Sequence, residues 1–372
     1  MTVTLIATTT MGFESGLARE IRALGIEDVQ VDNGKVSFVG QLTDICRANI
    51  HLRLAGRIYV QMAAFEAKSF DQLYEQALLV AWEDWIGPED QCPVAQATSL
   101  KSTLFSRSDC QAIVKKAIVD RLARVYGRAN LPETGAMLPV RVQINRDQVL
   151  LSIDSSGSGL NKRGYRVRTD QAPLRETLAA GLIDIARWYP EKETLLDPFC
   201  GSGTLLIEAA LKAKHIAPGL NRAFNAEAWK MLSRKDWDQA REQARDLIDM
   251  DATCEIIGSD INERAVQTAK ASLKAAGVTG VTVRTAPFQE TLVTADRGKI
   301  ITNPPYGERL GEKDEIEALY GAFGAHLREH YAHWRTYILT SFDEFEDCFG
   351  QKARKNRKVF NGGIECRFYQ YY

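Results

Sequence analysis

The chain has 372 residues, 45% hydrophobic and 26% charged, with a net charge of −1, the balance of an ordinary folded protein of about two or three domains. No apolar run approaches the roughly 18 residues that span a bilayer, and Met1 to Ala7 carry no basic segment ahead of their apolar residues, so they read as a strand rather than a signal peptide. Seven cysteines, an odd number with no pair at metal-ligand spacing, and five scattered histidines give no disulfide framework and no metal centre, so free thiols in a reducing cytoplasm are expected.

In chain order, 5–9, 35–39 and 55–65 are predicted as strands, 12–24 as a helix with Phe13, Leu17, Ile21 and Leu24 on one face, and 41–50 as a second helix. A further helix is predicted over 70–85, a strand over 94–100 and a helix over 108–126. Then 140–145 and 148–154 form a hairpin turning at Arg146-Asp147. This is an α+β pattern on a small sheet. Between 155 and 172 the pattern lapses into Ser155-Ser156-Gly157-Ser158-Gly159 and a basic run, which marks a domain boundary.

From Pro173 the rhythm is strand–helix–strand. Helices are predicted over 173–188, 204–214, 263–276 and 314–331, and an insertion over 215–251. Strands are predicted over 194–197, 254–260, 281–285, 299–302 and 336–341, then two more in 358–372 turning at Asn361-Gly362-Gly363. Such alternation predicts an α/β fold, a mostly parallel sheet covered on both faces, with ligands at the carboxyl ends of the strands.

Two motifs lie at such ends. Asp197-Pro198-Phe199-Cys200-Gly201-Ser202-Gly203-Thr204 leaves a strand and enters a helix. Gly201 and Gly203 allow positive φ and close approach of a ligand, and the helix N-terminus offers N–H groups to a carboxylate. Asp197 can accept from an ammonium. The loop lacks the lysine of a phosphate loop, and Leu206 replaces the third glycine of a dinucleotide loop. This pattern suits the methionine part of S-adenosylmethionine. Asp260, ending the next strand, suits ribose hydroxyls or the N-cap of the following helix. Phe288, after the third, suits adenine stacking or core packing equally. The second motif is Asn303-Pro304-Pro305-Tyr306. Asn303 offers a carbonyl acceptor, the prolines fix the backbone carbonyls, and Tyr306 offers a flat face. These suit a planar group bearing an amine.

The two motifs together resemble the amino-group methyltransferases of the class I, Rossmann-like type. Leu160-Asn161-Lys162-Arg163-Gly164-Tyr165-Arg166 and Ala172-Pro173-Leu174-Arg175-Glu176-Thr177-Leu178-Ala179-Ala180 are similar to the junction in THUMP-domain RNA guanine-N2 methyltransferases, notably the stand-alone form acting on bacterial large-subunit ribosomal RNA. The resemblance covers nearly the whole chain. It implies a ferredoxin-like subdomain at 1–65, a THUMP RNA-binding domain at 66–160, a basic linker at 161–172 and a methyltransferase domain with a seven-stranded sheet at 173–372. It implies S-adenosylmethionine as cofactor, no metal, ribosomal RNA as partner and a monomer. The implied cofactor contacts are Asp197, Pro198, Cys200, Gly201, Gly203, Thr204, Asp260, Ile261, Phe288 and Asn303. The implied catalytic residues are Asn303, Pro304, Pro305 and Tyr306. The family usually carries His where this chain has Asn161, and an acid near Pro287 that this chain lacks.

Two basic clusters fit an RNA path. One is Lys162, Arg163, Arg166 and Arg168 with Tyr165 among them, and the other is Lys352, Arg354, Lys355, Arg357 and Lys358. Arg309 is a further contact for a phosphate or base. Transfer RNA guanine-N2, DNA adenine-N6 and protein glutamine methylation share the acceptor motif, and a non-catalytic RNA-binding assembly factor is the alternative of another class.

Overall fold

The computed structural model describes residues 1–128, 130–168, 174–307 and 313–372. By contact, the chain divides into two compact units. The first comprises Met1–Thr9, Ala18–Leu160 and Arg222–Gln243; the second comprises Thr10–Leu17, Asn161–Asn221 and Ala244–Tyr372. Two segments therefore leave their linear neighbours: 10–17 belongs with the second unit and 222–243 with the first. All seven cysteines are free. Among the described residues, no helix is long and apolar enough to cross a membrane.

The chain up to residue 160 contains β1 (Thr2–Thr8), α1 (Glu14–Ala23), β2 (Val29–Asp32), β3 (Lys35–Gln41), α2 (Asp44–His51), β4 (Arg57–Glu66), α3 (Phe70–Leu79), β5 (Val94–Leu100), α4 (Arg107–Tyr126), β6 (Val140–Asn145) and β7 (Gln148–Asp154). Its strands form one sheet, ordered β2-β3-β1-β4-β7-β6-β5. Only the β5–β6 pair is parallel. The hairpin turns where the sequence places it: Arg146 and Asp147 both have positive φ, 53° and 61°, as a tight two-residue turn between right-twisted strands requires. The helix predicted over 70–85 is shorter. It stops at Val80, which is extended, so that the chain can turn and bury Trp82, whose indole N–H donates to the Ala77 carbonyl. Strand β2 was not anticipated from the sequence.

The rest of the chain contains α5 (Glu176–Ala186), β8 (Thr194–Asp197), α6 (Thr204–Ala213), α7 (Arg234–Asp246), β9 (Ile256–Asp260), α8 (Glu263–Ala276), β10 (Val281–Thr285), β11 (Gly298–Thr302), α9 (Lys313–His330), β12 (Arg335–Thr340), α10 (Phe345–Phe349), β13 (Lys355–Asn361) and β14 (Ile364–Tyr371). The strand order is β10-β9-β8-β11-β12-β14-β13, parallel through β12. β14 is antiparallel to both β12 and β13. Side chains alternate between faces. Leu195, Ile301 and Leu339 join a core with α5, α6 and α8, whereas Leu196, Ile300 and Ile338 join one with α9. Burial on both faces explains why these strands read as short apolar runs. Phe13 belongs to the first of these cores. A Cβ at Gly181 would lie 2.3 Å from its ring, so glycine on α5 is what admits that ring.

After β8 the chain winds outward through β9 and β10, then returns to place β11 on the other side of β8. That reversal opens a crevice at the carboxyl ends of β8 and β11, the usual ligand position in wound sheets.

Candidate active site

The crevice is lined by the two strand ends and the turns that follow them. Asp197 ends β8 and is 1% exposed. Its Oδ1 accepts from Thr302 Oγ1 at 2.6 Å and from the Phe199 N–H at 3.2 Å. Among the described residues, nothing donates to its Oδ2. Burial pushes this carboxyl up to about 7, against the two hydrogen bonds that pull it down, and the charge of Asp260 adds to the rise.

Gly201 and Gly203 both have positive φ, 51° and 81°, which disfavours any residue with a Cβ. Gly203 is doubly constrained, because a Cβ would meet that of Ala269 at 2.9 Å. Around Gly201 the space is open, as a turn that takes a ligand needs. The Cys200 N–H donates to the Ser259 carbonyl at 2.9 Å, and the Gly201 N–H donates to Asp260 Oδ2 at 2.9 Å. Asp260 thus ties the glycine turn to the end of β9. It is not the N-cap of α8; Asn262 is, accepting from the Arg264 and Ala265 N–H groups at 3.0 and 3.3 Å. Cys200, Thr204 and Pro198 are buried under the turn, and Ile261 is 76% exposed at its rim. A buried acid with one unengaged oxygen, a second acid and an open glycine turn fit an amino-acid ammonium, a ribose and a close-lying ligand backbone. Phe288 resolves to core packing: it is 4% exposed, with Phe199, Phe323 and His326 at centroid distances of 5.5, 5.2 and 5.4 Å.

On the other side of the crevice, Asn303 follows β11, half-buried. Pro304 is buried and Pro305 exposed. The Tyr320 hydroxyl donates to the Pro305 carbonyl at 2.7 Å and pairs with Thr340 Oγ1 at 2.8 Å, which anchors the turn. Among the described residues, none donates to the Pro304 carbonyl. The Tyr306 hydroxyl donates to Asn303 Oδ1. Burial raises the Tyr306 phenol well above its ordinary range, so it stays a donor. Asn361 and the Cys366 thiol, the latter 3.8 Å from its oxygen, hold it from the β13–β14 hairpin.

The linker cluster is not a basic face. Arg163 and Tyr165 are 4% and 5% exposed and both meet Glu208 Oε1, at 3.5 and 3.0 Å. Arg166 is bound to Glu176 Oε1 at 3.0 Å, to the Leu174 carbonyl at 3.1 Å and to Thr204 Oγ1 at 3.3 Å. Their partners lie on α5 and α6, beyond the reach of a local sequence pattern, and these three residues strap the linker to the helices. Only Lys162 and Arg168 of this cluster are exposed. Removing one member of a buried pair strands the other, at roughly 3–5 kcal/mol. Arg163→Met is therefore expected to lower the melting temperature strongly in a thermal scan, more than Lys162→Met does.

In the second cluster, Lys352, Arg354, Lys355, Arg357 and Lys358 are all exposed on or beside the edge strand β13. Lys352 pairs with Asp347 at 2.9 Å and Lys358 with Glu365 at 2.5 Å. Arg354 lies 5.0 Å from the Tyr372 ring centroid. Arg357 stands opposite Phe368, so it shares the sheet face of the core against which Tyr306 packs. Arg309 lies outside the described residues. Thr302, Tyr320, Asn361 and Cys366 escaped the sequence reading because each acts on a residue distant in sequence or looks like an ordinary strand residue. A cavity of about 520 Å³ opens among Glu193, Thr194, Glu255 and Arg297, at the amino ends of the strands and away from both motifs.

Comparison with known proteins agrees with this geometry. Residues 163–370 match the family model described as "RMKL-like, methyltransferase domain". The chain belongs to this methyltransferase family. Residues 4–59 match the RlmL ferredoxin-like domain and 67–154 the THUMP domain. The putative RNA methyltransferase YpsC of Bacillus subtilis is 46% identical over 99% of this chain and 96% of its own length. A ribosomal RNA large subunit methyltransferase K/L of Syntrophotalea carbinolica is 35% identical over 98% of this chain and 53% of its own. The chain thus spans about half the length of the K/L relatives. The solved structure of SMU.472, a putative methyltransferase complexed with SAH, superposes with a TM-score of 0.92 at 36% identity, covering 100% of this chain and 98% of that one. As a member of this methyltransferase family, the chain takes S-adenosylmethionine as its cofactor.

Proposed function

We propose that this protein transfers a methyl group to the exocyclic N2 amine of a guanine in RNA, with 23S ribosomal RNA as substrate, acting as a monomer in the cytoplasm. One observation carries the reading. The Thr302 hydroxyl, beside Asn303, bonds Asp197 at 2.6 Å, so the acceptor turn and the acid suited to the donor's ammonium open on one crevice. In this reading 173–372 performs the transfer, 161–172 is the linker, and 1–65 with 66–160 holds RNA.

Guanine N2 is a weak nucleophile because its lone pair is delocalised into the ring. Asn303 Oδ1 has a second lone pair beside the one taken by Tyr306, and the Pro304 carbonyl offers another acceptor. Accepting the two amine hydrogens, they leave the nitrogen richer in electrons and aimed. When bound, S-adenosylmethionine supplies a methyl on a positively charged sulfur, which leaves with the C–S electron pair as the C–N bond forms. The surplus proton passes to solvent afterwards, so the chain needs only to position the base and cradle its amine. A paired guanine would first be flipped out. Lys355 and Arg357 hold the RNA backbone on the face that Tyr306 shares.

The test supplies labelled S-adenosylmethionine with protein-free 23S ribosomal RNA, transfer RNA and duplex DNA, then separates the nucleosides. N2-methylguanosine from 23S RNA is expected. Label as N6-methyladenine, or in DNA alone, overturns the reading, and no donor binding by calorimetry would favour an assembly factor. Tyr306→Phe keeps the ring but frees Asn303 Oδ1 to rotate. The expected result is a turnover number about tenfold lower, the loss of one hydrogen bond's worth of positioning, with the donor dissociation constant unchanged.

A further inference from the structure

Phe105 is 83% exposed, more than any other large apolar side chain among the described residues. A lone exposed apolar residue is unremarkable, but this one stands on a loop that is fastened at every step. Ser99 Oγ donates to the Leu104 carbonyl at 2.6 Å, and Ser102 Oγ donates to the Leu100 carbonyl at 2.8 Å. The Thr103 N–H donates to Asp147 Oδ1 at 2.6 Å, and the Asp147 N–H returns a bond to Ser102 Oγ at 3.1 Å. The Arg146 N–H donates to the Leu100 carbonyl at 3.1 Å. Leu104 is buried at 4% exposure, and Ser106 caps α4. The loop is thus pinned to the β6–β7 turn, and Phe105 is held out between a buried anchor and a helix cap.

The surroundings of this ring are basic. Lys101, Arg107 and Arg146 are exposed on the same loop, the first residue of α4 and the pinned turn. Lys101 and Arg146 both hold positive φ, 49° and 53°, a conformation imposed by the turns that present them. The nearby acids are Asp109, one turn into α4, Asp147, whose Oδ1 is taken by the loop, and Glu66 opposite Gln148, which is paired with Lys68. The start of α4, a 20-residue helix, adds partial positive charge. Leu100, at the end of β5 where the loop begins, is 60% exposed.

A rigidly presented aromatic face among cations matches one chemistry: an unpaired base stacked on the ring with its flanking phosphates on the cations. We infer that Phe105, with Lys101, Arg107 and Arg146, forms a binding site for a single-stranded RNA segment. The inference rests on the RNA reading above and deepens it, locating a substrate contact in the N-terminal unit. The single strand binds through the π-face, so it is held with little regard to base identity and with marked sensitivity to salt.

Fluorescence anisotropy of a labelled single-stranded RNA oligonucleotide, titrated with the full-length protein at fixed salt, tests this. Phe105→Ala should weaken binding about tenfold, within the roughly 5- to 150-fold that one base–aromatic stack contributes, while Phe105→Trp should hold affinity and show tryptophan quenching on RNA addition. Donor binding and melting temperature should not change in either variant. If wild type binds the oligonucleotide and Phe105→Ala binds it equally, the site is refuted and the RNA reading stands. If wild type binds neither this oligonucleotide nor 23S RNA, both fall. Self-association of the wild type that Phe105→Ala abolishes, with RNA affinity unchanged, assigns the face to a protein contact and overturns the proposal.

Discussion

Replacing Asn303 with alanine should slow methyl transfer by about 10²- to 10³-fold, the usual cost of removing one preorganised polar group at a reacting centre. Asn303 Oδ1 is the side-chain carbonyl the acceptor motif offers, and it is fixed rather than free: the Tyr306 hydroxyl holds it, and Asn361 and Cys366 hold Tyr306. Alanine removes the acceptor and also leaves the half-buried phenol O–H without the oxygen it donates to, so some loss of stability accompanies the loss of rate. Asn303 bonds nothing in the glycine turn, and donor affinity by calorimetry should change less than about threefold, an energy below that of one ordinary hydrogen bond. Single-turnover transfer to RNA is the readout. A transfer rate within that same small factor of wild type would remove Asn303 from the mechanism.

Asp197→Asn should make the protein more stable and inactive. The native carboxyl titrates near 7, whereas an unfolded aspartate titrates at about 3.9. Between those values the native state keeps a proton that the unfolded state has lost, so stability falls as pH rises through the window, and the full cost, on the order of a few kcal/mol, is present above pH 7. Asparagine at this position keeps an oxygen to accept from Thr302 and the Phe199 N–H but has nothing to ionise. The two proteins should therefore melt at similar temperatures near pH ~4, at the unfolded value and below the window, with the variant well above wild type at pH 8. Donor binding should run the other way. Wild-type affinity should rise with pH up to about 7 as the carboxylate forms, then level off. The variant should bind roughly 10- to 100-fold more weakly at pH 8, the worth of a charge-assisted hydrogen bond, with little dependence on pH. Equal donor affinity in the two proteins at pH 8 would show that Asp197 does not meet the ammonium.

What could be read from the sequence was what the backbone demands locally. Gly201 and Gly203 are needed for φ, the prolines for fixed carbonyls, and the Arg146-Asp147 turn for two left-handed residues; each announces itself within a few positions. The parallel strands were legible because burial on both faces leaves short apolar runs between helical stretches. The failures share a cause. Arg163 and Tyr165 look like part of a basic surface until Glu208 on α6 is found facing them. Asp260 is a candidate cap on paper, yet Asn262 takes the cap while Asp260 bonds the Gly201 N–H. Phe288 goes to the core because Phe199, Phe323 and His326 surround it. Phe105 gave no signal, since periodicity finds side chains that are buried and is blind to one deliberately left out.

The placement of Phe13 has a consequence for how the protein comes into being. This side chain completes a core with α5, α6 and α8, yet it is made long before Gly181, whose missing Cβ admits it. The segment 222–243, conversely, belongs with β1 to β7 and emerges only after the first glycine turn of the catalytic sheet. Neither unit is complete until a segment made later has joined it. The order of synthesis and the order of completion are decoupled, and the slow step of maturation is expected to be the docking of sequence-distant partners rather than the formation of any one helix or hairpin.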